Sequence, residues 1–272
     1  MLLIFGLGYT AQRLAARWPA AVIGTSRDGR AGTIAFADEP AVRRALAAAS
    51  HVLSSVPPVD DHDPVLASYG DALGTQRLAY LSSTGVYGDA GGAWVDETSP
   101  TGGGRRSARA AADAAWLARG ARVFRLPGIY GPGRSPLDRV RDGRAHRIIS
   151  AGQVFSRAHV DDLVSGLLAA ADAPPGAYNL ADDYPAPLND VVSYAASLLG
   201  LPPPPLVAPD QLSATARAFY AENRRVANGK AKRVLGWTPL YPHYRLGLRA
   251  LNAITSPIPV SSAPAPASGD QR

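Results

Sequence analysis

A glycine pair at the start of the chain carries its clearest chemistry. Gly6-Leu7-Gly8-Tyr9-Thr10-Ala11 follows directly on the apolar run Leu2-Leu3-Ile4-Phe5. The order reads as a strand, a tight turn and the opening of a helix over Gln12–Trp18. Such a helix start presents free N–H groups and about half a positive charge, a setting suited to a pyrophosphate. Gly6 permits the turn, Gly8 lets the backbone approach the phosphates, and Ala11, in place of the usual third glycine, keeps helix and strand close. The motif gains weight from its place between a strand and a helix. Gly6, Gly8, Tyr9 and Thr10 are therefore the candidate phosphate contacts of a dinucleotide.

The choice of dinucleotide turns on the second strand, Ala21–Thr25, whose end should lie near the adenosine ribose. An NAD enzyme wants a carboxylate there for the ribose 2′-hydroxyl. Here the strand runs into Ser26-Arg27-Asp28. The planar, permanently charged fork of Arg27 suits a 2′-phosphate, with a further hydrogen bond from Ser26. Asp28 is the alternative, a ribose acid if the register slips. The reading is NADP, with NAD possible. Asp38, at the end of the third strand, is a candidate adenine contact.

These residues need a scaffold, and the chain supplies one. Strands at Gly32–Phe36, His51–Val56, Gln76–Ser83 and Ala121–Leu126 alternate with helices at Glu39–Ala49, Pro64–Leu73 and Ser107–Arg119. That alternation predicts an α/β fold, a Rossmann-like doubly wound parallel sheet. Ligands of such sheets bind at the carboxyl ends of the strands. Ser55, Ser83 and Pro127 then lie at or just beyond strand ends, and Ser55 and Pro127 join the cofactor candidates. After Pro127 the pattern loosens. A helix over His159–Asp172, a short strand at Ala177–Leu180 and helices at Leu188–Leu199, near Asp210–Tyr220 and at Asn228–Leu235 are expected. The domain is expected to span 1–254, with a small substrate lobe drawn mainly from 128–158 and 177–252. The Pro/Ala/Ser-rich stretch 255–272 is expected to be an unfolded tail.

Composition narrows the function classes. The chain of 272 residues has no cysteine, which excludes disulfides and thiolate chemistry. Its five histidines show no metal-ligand spacing, so no metal is expected. The net charge of +6 comes from scattered arginines without interleaved aromatics, which argues against nucleic acid. No apolar run approaches the ~20 residues of a membrane span, and the N-terminal apolar stretch is too short for a secretory leader. The expected protein is cytoplasmic, a monomer or homodimer, with a small-molecule substrate. Lys230 and Lys232 are the only lysines.

Five further segments resemble one known family in order. Tyr80-Leu81-Ser82-Ser83-Thr84-Gly85-Val86-Tyr87-Gly88 is similar to the strand-five signature of extended short-chain dehydrogenases/reductases, the NAD(P)-dependent epimerase/dehydratase family. Arg125-Leu126-Pro127-Gly128-Ile129-Tyr130-Gly131-Pro132-Gly133 resembles its strand-six exit, and Arg157-Ala158-His159-Val160-Asp161-Asp162 the start of its substrate-lobe helix. Tyr178-Asn179-Leu180 and Lys232-Arg233-Val234-Leu235-Gly236-Trp237-Thr238-Pro239 complete the set. The resemblance covers about residues 1–252.

It implies a Ser/Thr, a tyrosine and a lysine, the last two spaced Y-x-x-x-K, in which the lysine lowers the tyrosine pKa. Ser83 matches the serine, with Thr84 beside it. The tyrosine and lysine are missing. Arg105 and Arg109 fall at their positions on one helix face, and Asp113 falls at an acid the family often carries. A guanidinium stays protonated and is no general base. This is the pattern of atypical members with a degraded Y-x-x-x-K motif.

Three readings follow. The first is an NADP-dependent oxidoreductase or epimerase in which Arg109 supplies charge near the nicotinamide ribose and Tyr87 or Tyr130 handles the proton. The second is a non-catalytic NADP(H)-binding redox sensor or scaffold. The third uses Arg105 and Arg109 as an anion clamp for the substrate. Arg157 is a candidate substrate-phosphate contact, or else an ion pair with Asp161 or Asp162. His159 is expected to be structural, and Asp161 a helix cap or lobe anchor.

Overall fold

The computed structural model describes residues 1–255 except 31, 150 and 151. The stretch expected to be an unfolded tail lies outside the described residues, apart from the helical backbone of Thr255. In chain order the elements are β1 (Leu2–Phe5), α1 (Tyr9–Ala15), β2 (Val22–Ser26), β3 (Thr33–Ala35), α2 (Glu39–Ala48), β4 (His51–Ser54), α3 (Pro64–Tyr69) and β5 (Arg77–Ser83). Then come β6 (Trp94–Val95), α4 (Ser107–Ala118), β7 (Arg122–Leu126), β8 (Gly128–Tyr130), α5 (Pro136–Arg141), β9 (Arg147–Ile148), β10 (Arg157–His159) and α6 (Val160–Ala169). The chain closes with β11 (Gly176–Asn179), α7 (Leu188–Leu198), β12 (Leu206–Val207), α8 (Ala214–Ala221), β13 (Arg225–Val226), α9 (Gly229–Leu235) and α10 (Tyr244–Thr255).

Seven parallel strands form the central sheet in the order β11-β7-β5-β4-β1-β2-β3. The order reverses between β1 and β4, which pair from Leu2↔His51 to Phe5↔Ser54. A crevice opens at such a switch point, outside the carboxyl ends of the strands. The strands carry continuous apolar runs because both faces are covered. Leu2, Ile4, Leu53 and Phe124 pack against Leu14 of α1 and Leu163 and Leu167 of α6. Their alternates Leu3, Phe5, Val52 and Tyr80 pack against α2, α3 and α4 through Leu46, Tyr69 and Trp116. Each fully buried aliphatic side chain contributes roughly 1.5–3 kcal/mol.

The later chain builds a lobe over the sheet's carboxyl edge. Its core joins Leu137 and Val140 of α5, Val191 and Ala195 of α7, and Tyr244, Leu248 and Leu251 of α10. The sequence reading missed α5 and α10, and also the short strand pairs β8·β10, β9·β12 and β6·β13. Tyr244, Leu248 and Leu251 stand at helical spacing and were a usable signal for α10. Asn179 latches the lobe to the sheet. Its side chain donates to the Ala227 carbonyl at 3.0 Å, and its backbone N–H donates to Glu97 at 2.7 Å.

Candidate functional site

The glycine turn is shorter than the sequence reading placed it. The helix begins at Tyr9, with Gly8 as its N-cap, so the first-turn amides come directly after the turn. Gly6 has φ +81°, and a Cβ there would meet Ser55 Oγ at 3.0 Å and Val56 at 3.1 Å. Only glycine adopts this conformation without strain. The Ser55 hydroxyl donates to the Gly6 carbonyl, and the Gly6 N–H donates to Thr25 Oγ1 at 3.2 Å. Gly6→Ala is therefore expected to cost roughly 1–3 kcal/mol of stability and to abolish dinucleotide binding. Thermal unfolding with and without NADPH reads both. An alanine variant that still gains stability from NADPH would show that the turn tolerates the change.

In front of the turn lies a cavity of about 1040 Å³, reaching from Gly8, Tyr9 and Thr10 past Ser55 and Pro127 to Ser83, Thr84 and Arg109. A Cβ at Gly8 would meet nothing within 4 Å, so the backbone there faces open space where a pyrophosphate can lie. Tyr9 lines the cavity and donates to the Pro132 carbonyl at 3.0 Å. Burial raises its pKa, which keeps the hydroxyl neutral. Among the described residues, eight arginines and two carboxylates, Asp138 and Glu222, line this cavity.

In the loop after β2, Arg27 is exposed and has no hydrogen-bond partner among the described residues. Arg30, which the sequence reading did not single out, donates from Nη2 to the Leu7 carbonyl at 3.0 Å. Its guanidinium lies directly over the glycine turn. Its place three residues after Arg27 in the same strand-exit loop was the available signal. Ser26 is occupied by that loop, bonding Thr33 Oγ1 at 2.8 Å and accepting from the Arg30 N–H at 3.1 Å. Asp38 is the N-cap of α2 and accepts from the Ala41 N–H at 3.1 Å. One carboxylate oxygen is thereby engaged at the helix start.

At the other end, Ser83 caps a short turn by accepting from the Gly85 N–H at 3.1 Å, which leaves its hydroxyl hydrogen free to point into the cavity. Arg109 reaches back to the sheet, donating from Nη1 to the Tyr80 hydroxyl at 2.7 Å and to the Leu81 carbonyl at 3.3 Å. Tyr80 is buried and stacked on Trp116, with ring centroids 5.5 Å apart. Burial pushes its pKa up to about 12, against the pull of Arg109. A tyrosine and a cation thus meet here, but the tyrosine comes from the strand and is neutral.

The candidate proton carriers lie elsewhere. Tyr87 is outside the cavity wall; its hydroxyl donates to Asn179 Oδ1 at 2.8 Å and accepts from Arg125 Nη1 at 3.0 Å. Burial raises its pKa to about 12. Arg125 also holds Asp113 in a two-pronged bond, Nε to Oδ2 at 3.1 Å and Nη2 to Oδ1 at 2.9 Å, and Ser82 donates to the same carboxylate at 2.6 Å. Tyr87 is a member of a packed network, not a group free to exchange protons. Tyr130 lies at the cavity edge, but its hydroxyl packs against Gly247 of α10 without a partner among the described residues. Burial drives its pKa upward. Tyr87 therefore stands outside the cavity, and Tyr130 reaches it with a raised pKa.

Arg157 pairs with neither Asp161 nor Asp162. It is buried and donates from Nη1 to the carbonyls of Phe155 and Ala186, both at 2.8 Å. His159 is structural, as expected, and it is the cap of α6: its Nδ1 accepts from the Asp161 N–H at 3.2 Å. Asp161 instead pairs with Arg13 at 3.5 Å. Asp162 accepts from the Leu240 and Tyr241 N–H groups at 2.7 and 3.1 Å and so anchors the C-terminal segment.

Two buried carboxyls set a pH dependence. Burial raises Asp182 to about 8, ahead of the opposing attraction of Arg157, and raises Asp162 to about 6. Folded-state pKa values above the unfolded ones mean that the folded protein holds extra protons. Stability is then full below about pH 4 and declines as pH rises through 6 to 8, by up to roughly 1.4 kcal/mol per pH unit for each group. Denaturant unfolding at pH 5, 7 and 8.5 should show this decline, and Asp182→Asn should flatten its upper part. A wild-type profile rising from pH 5 to 8.5 would contradict it.

No protein-family model matches the chain. A solved structure described as a functionally unknown conserved protein from Silicibacter pomeroyi DSS is 44% identical, with a TM-score of 0.85, covering 94% of this chain and 99% of that one. A UDP-glucose 4-epimerase of Thermus thermophilus in complex with NAD is 19% identical at TM-score 0.71, over 93% of this chain and 97% of that one. A human epimerase family protein with NADPH is 17% identical at TM-score 0.71, over 93% and 99%. At these last two identities the likeness is one of fold, and the fold is that of nicotinamide-dinucleotide proteins of the epimerase/dehydratase type. Among curated proteins, a 3-diazoavenalumate denitrifying reductase of a Streptomyces species is 34% identical over 140 residues, 46% of this chain and 45% of the relative. The match spans less than half the length of that relative.

Proposed function

The chain belongs to the same family as the Silicibacter pomeroyi protein, and we propose that it is an NADP(H)-dependent reductase of a small electrophilic substrate. One observation carries the reading. The cavity runs from an open glycine turn, over which Arg30 reaches to the Leu7 carbonyl, to Ser83, Thr84 and Arg109, and no tyrosine–lysine pair stands in it.

The residues fit the cofactor. The Gly6–Thr10 backbone would hold the pyrophosphate, Arg27 and Arg30 a 2′-phosphate, and Arg109 the nicotinamide ribose. A bound nicotinamide supplies hydride. Ser83 donates a hydrogen bond to the substrate atom that gains electron density, and Thr84 shapes the wall beside it. Epimerisation fits less well, because it begins by removing a hydroxyl proton. The cations here, Arg105 and Arg109, cannot accept one. Reduction makes the opposite demand, a proton delivered late, which water in the open cavity can meet. The name of the Streptomyces relative, a reductase, supports the same direction.

The test is NADPH consumption with a panel of carbonyl and other electrophilic substrates. Turnover is expected, with no tyrosine ionisation in the pH profile between pH 6 and 9. Tight NADPH binding without turnover on any member would favour a redox-sensing module instead.

A further inference from the structure

The far end of the cavity, beyond Ser83, concentrates unmatched positive charge beside aromatic rings. Glu222 is buried and already shared: Arg105 lies 3.5 Å and Arg224 3.1 Å from its Oε2. Arg109 is bonded only to neutral oxygens. Arg106 has no hydrogen-bond or ion-pair partner among the described residues. One carboxylate thus faces four guanidinium groups. Burial, with Arg105 and Arg109 as like-charged neighbours, lowers the Arg106 pKa; a site that disfavours its own cation lacks an anion. Arg106 can lie flat across the turn after β5 because residue 85 is glycine, where a Cβ would come within 2.5 Å of Arg106 Cδ.

The rings stand next to these charges. Phe155 and Phe219 stack with centroids 5.1 Å apart and planes 7° from parallel. Tyr220 packs edge-on against Phe219 at 5.2 Å. The Arg105 guanidinium carbon sits 5.5 Å from the Phe219 centroid. All four residues line the cavity.

Resting on the reductase reading, we propose that this end binds a planar aromatic or conjugated carboxylate, with the carboxylate on Arg106 and Arg105 and the ring against Phe219. The spacing decides for this class. Guanidinium and ring are adjacent, so a ligand that uses both carries its anionic group close to its flat part.

The experiment is calorimetric titration of the full chain, with and without saturating NADPH, using cinnamate, its neutral isostere cinnamamide, and UDP-glucose. Cinnamate is expected to bind at least tenfold more tightly than cinnamamide. Arg106→Gln should erase that difference and Phe219→Leu should weaken both ligands, while NADPH affinity stays unchanged. Raising the salt concentration should weaken cinnamate and spare cinnamamide, a readout that needs no variant. Equal binding of acid and amide, or binding of UDP-glucose in place of cinnamate, would overturn the proposal. Failure of NADPH to bind would overturn the reductase reading alone, since the anion preference is read on the unliganded protein as well.

Discussion

Asp113→Ala is expected to cost about 3–5 kcal/mol of unfolding free energy, the largest loss of any single change to the site's scaffold. Asp113 is 1% and Arg125 4% exposed, so removing the carboxylate strands a buried guanidinium. Burial works against the Arg125 charge, and the bonds to Asp113 with the attraction of Tyr87 overcome it and raise its pKa. The same change deprives the Ser82 hydroxyl of its acceptor and loosens α4 from β5, the two elements that place Arg109 and Ser83. Asp113→Leu combined with Arg125→Met should lose much less than the single variant, because no lone charge is left behind. Urea unfolding of the single and double variants measures the difference. A loss below about 1 kcal/mol for Asp113→Ala would mean that the network is dispensable.

The second large effect falls on cofactor choice. Wild-type protein should bind NADPH more tightly than NADH, and each of Arg27→Ala and Arg30→Ala should weaken NADPH by about 10–100-fold, the value of a hydrogen bond to a charged group. NADH affinity should change little for Arg27→Ala. Arg30→Ala also frees the Leu7 carbonyl, so it should weaken NADH slightly by loosening the turn. Fluorescence titration of the wild-type chain and both variants with each cofactor settles it. Equal affinities of the wild-type chain for NADPH and NADH would remove the 2′-phosphate assignment.

The sheet was legible because parallel strands buried on both faces leave continuous apolar runs, as in Leu2–Phe5, and because glycines and prolines punctuate them. The turn at Gly6 was legible because its conformation demands glycine. Arg30 was not, because its contact to Leu7 depends on how the loop after β2 folds back over the turn. Asp38 reads as a ligand from its strand-end position, and the same residue type is a preferred helix cap, which is the bond it makes at α2. The surroundings of Arg157 and Tyr130 were hidden for a related reason. Their motif places them at the cavity edge, but the lobe that packs around them, α10 included, ties them up in ways no local pattern announces. Arg109 was read by alignment with a missing lysine. Its partner Tyr80 was invisible, since a buried strand residue gives no local sign that an arginine from the covering helix will reach its hydroxyl.

The absence of lysine from the cavity fixes what a reactive substrate can do there besides being reduced. Lys230 donates to the Ala177 carbonyl at 2.8 Å and Lys232 pairs with Asp183, and neither lines the cavity. An aldehyde or activated ketone held among guanidinium groups meets no primary amine, so it cannot condense into an imine and become tethered. A pocket built on arginine attracts electrophilic anions without being alkylated by them. Borohydride added with a carbonyl ligand should therefore leave the cavity unmodified, any adduct falling on Met1, Lys230 or Lys232.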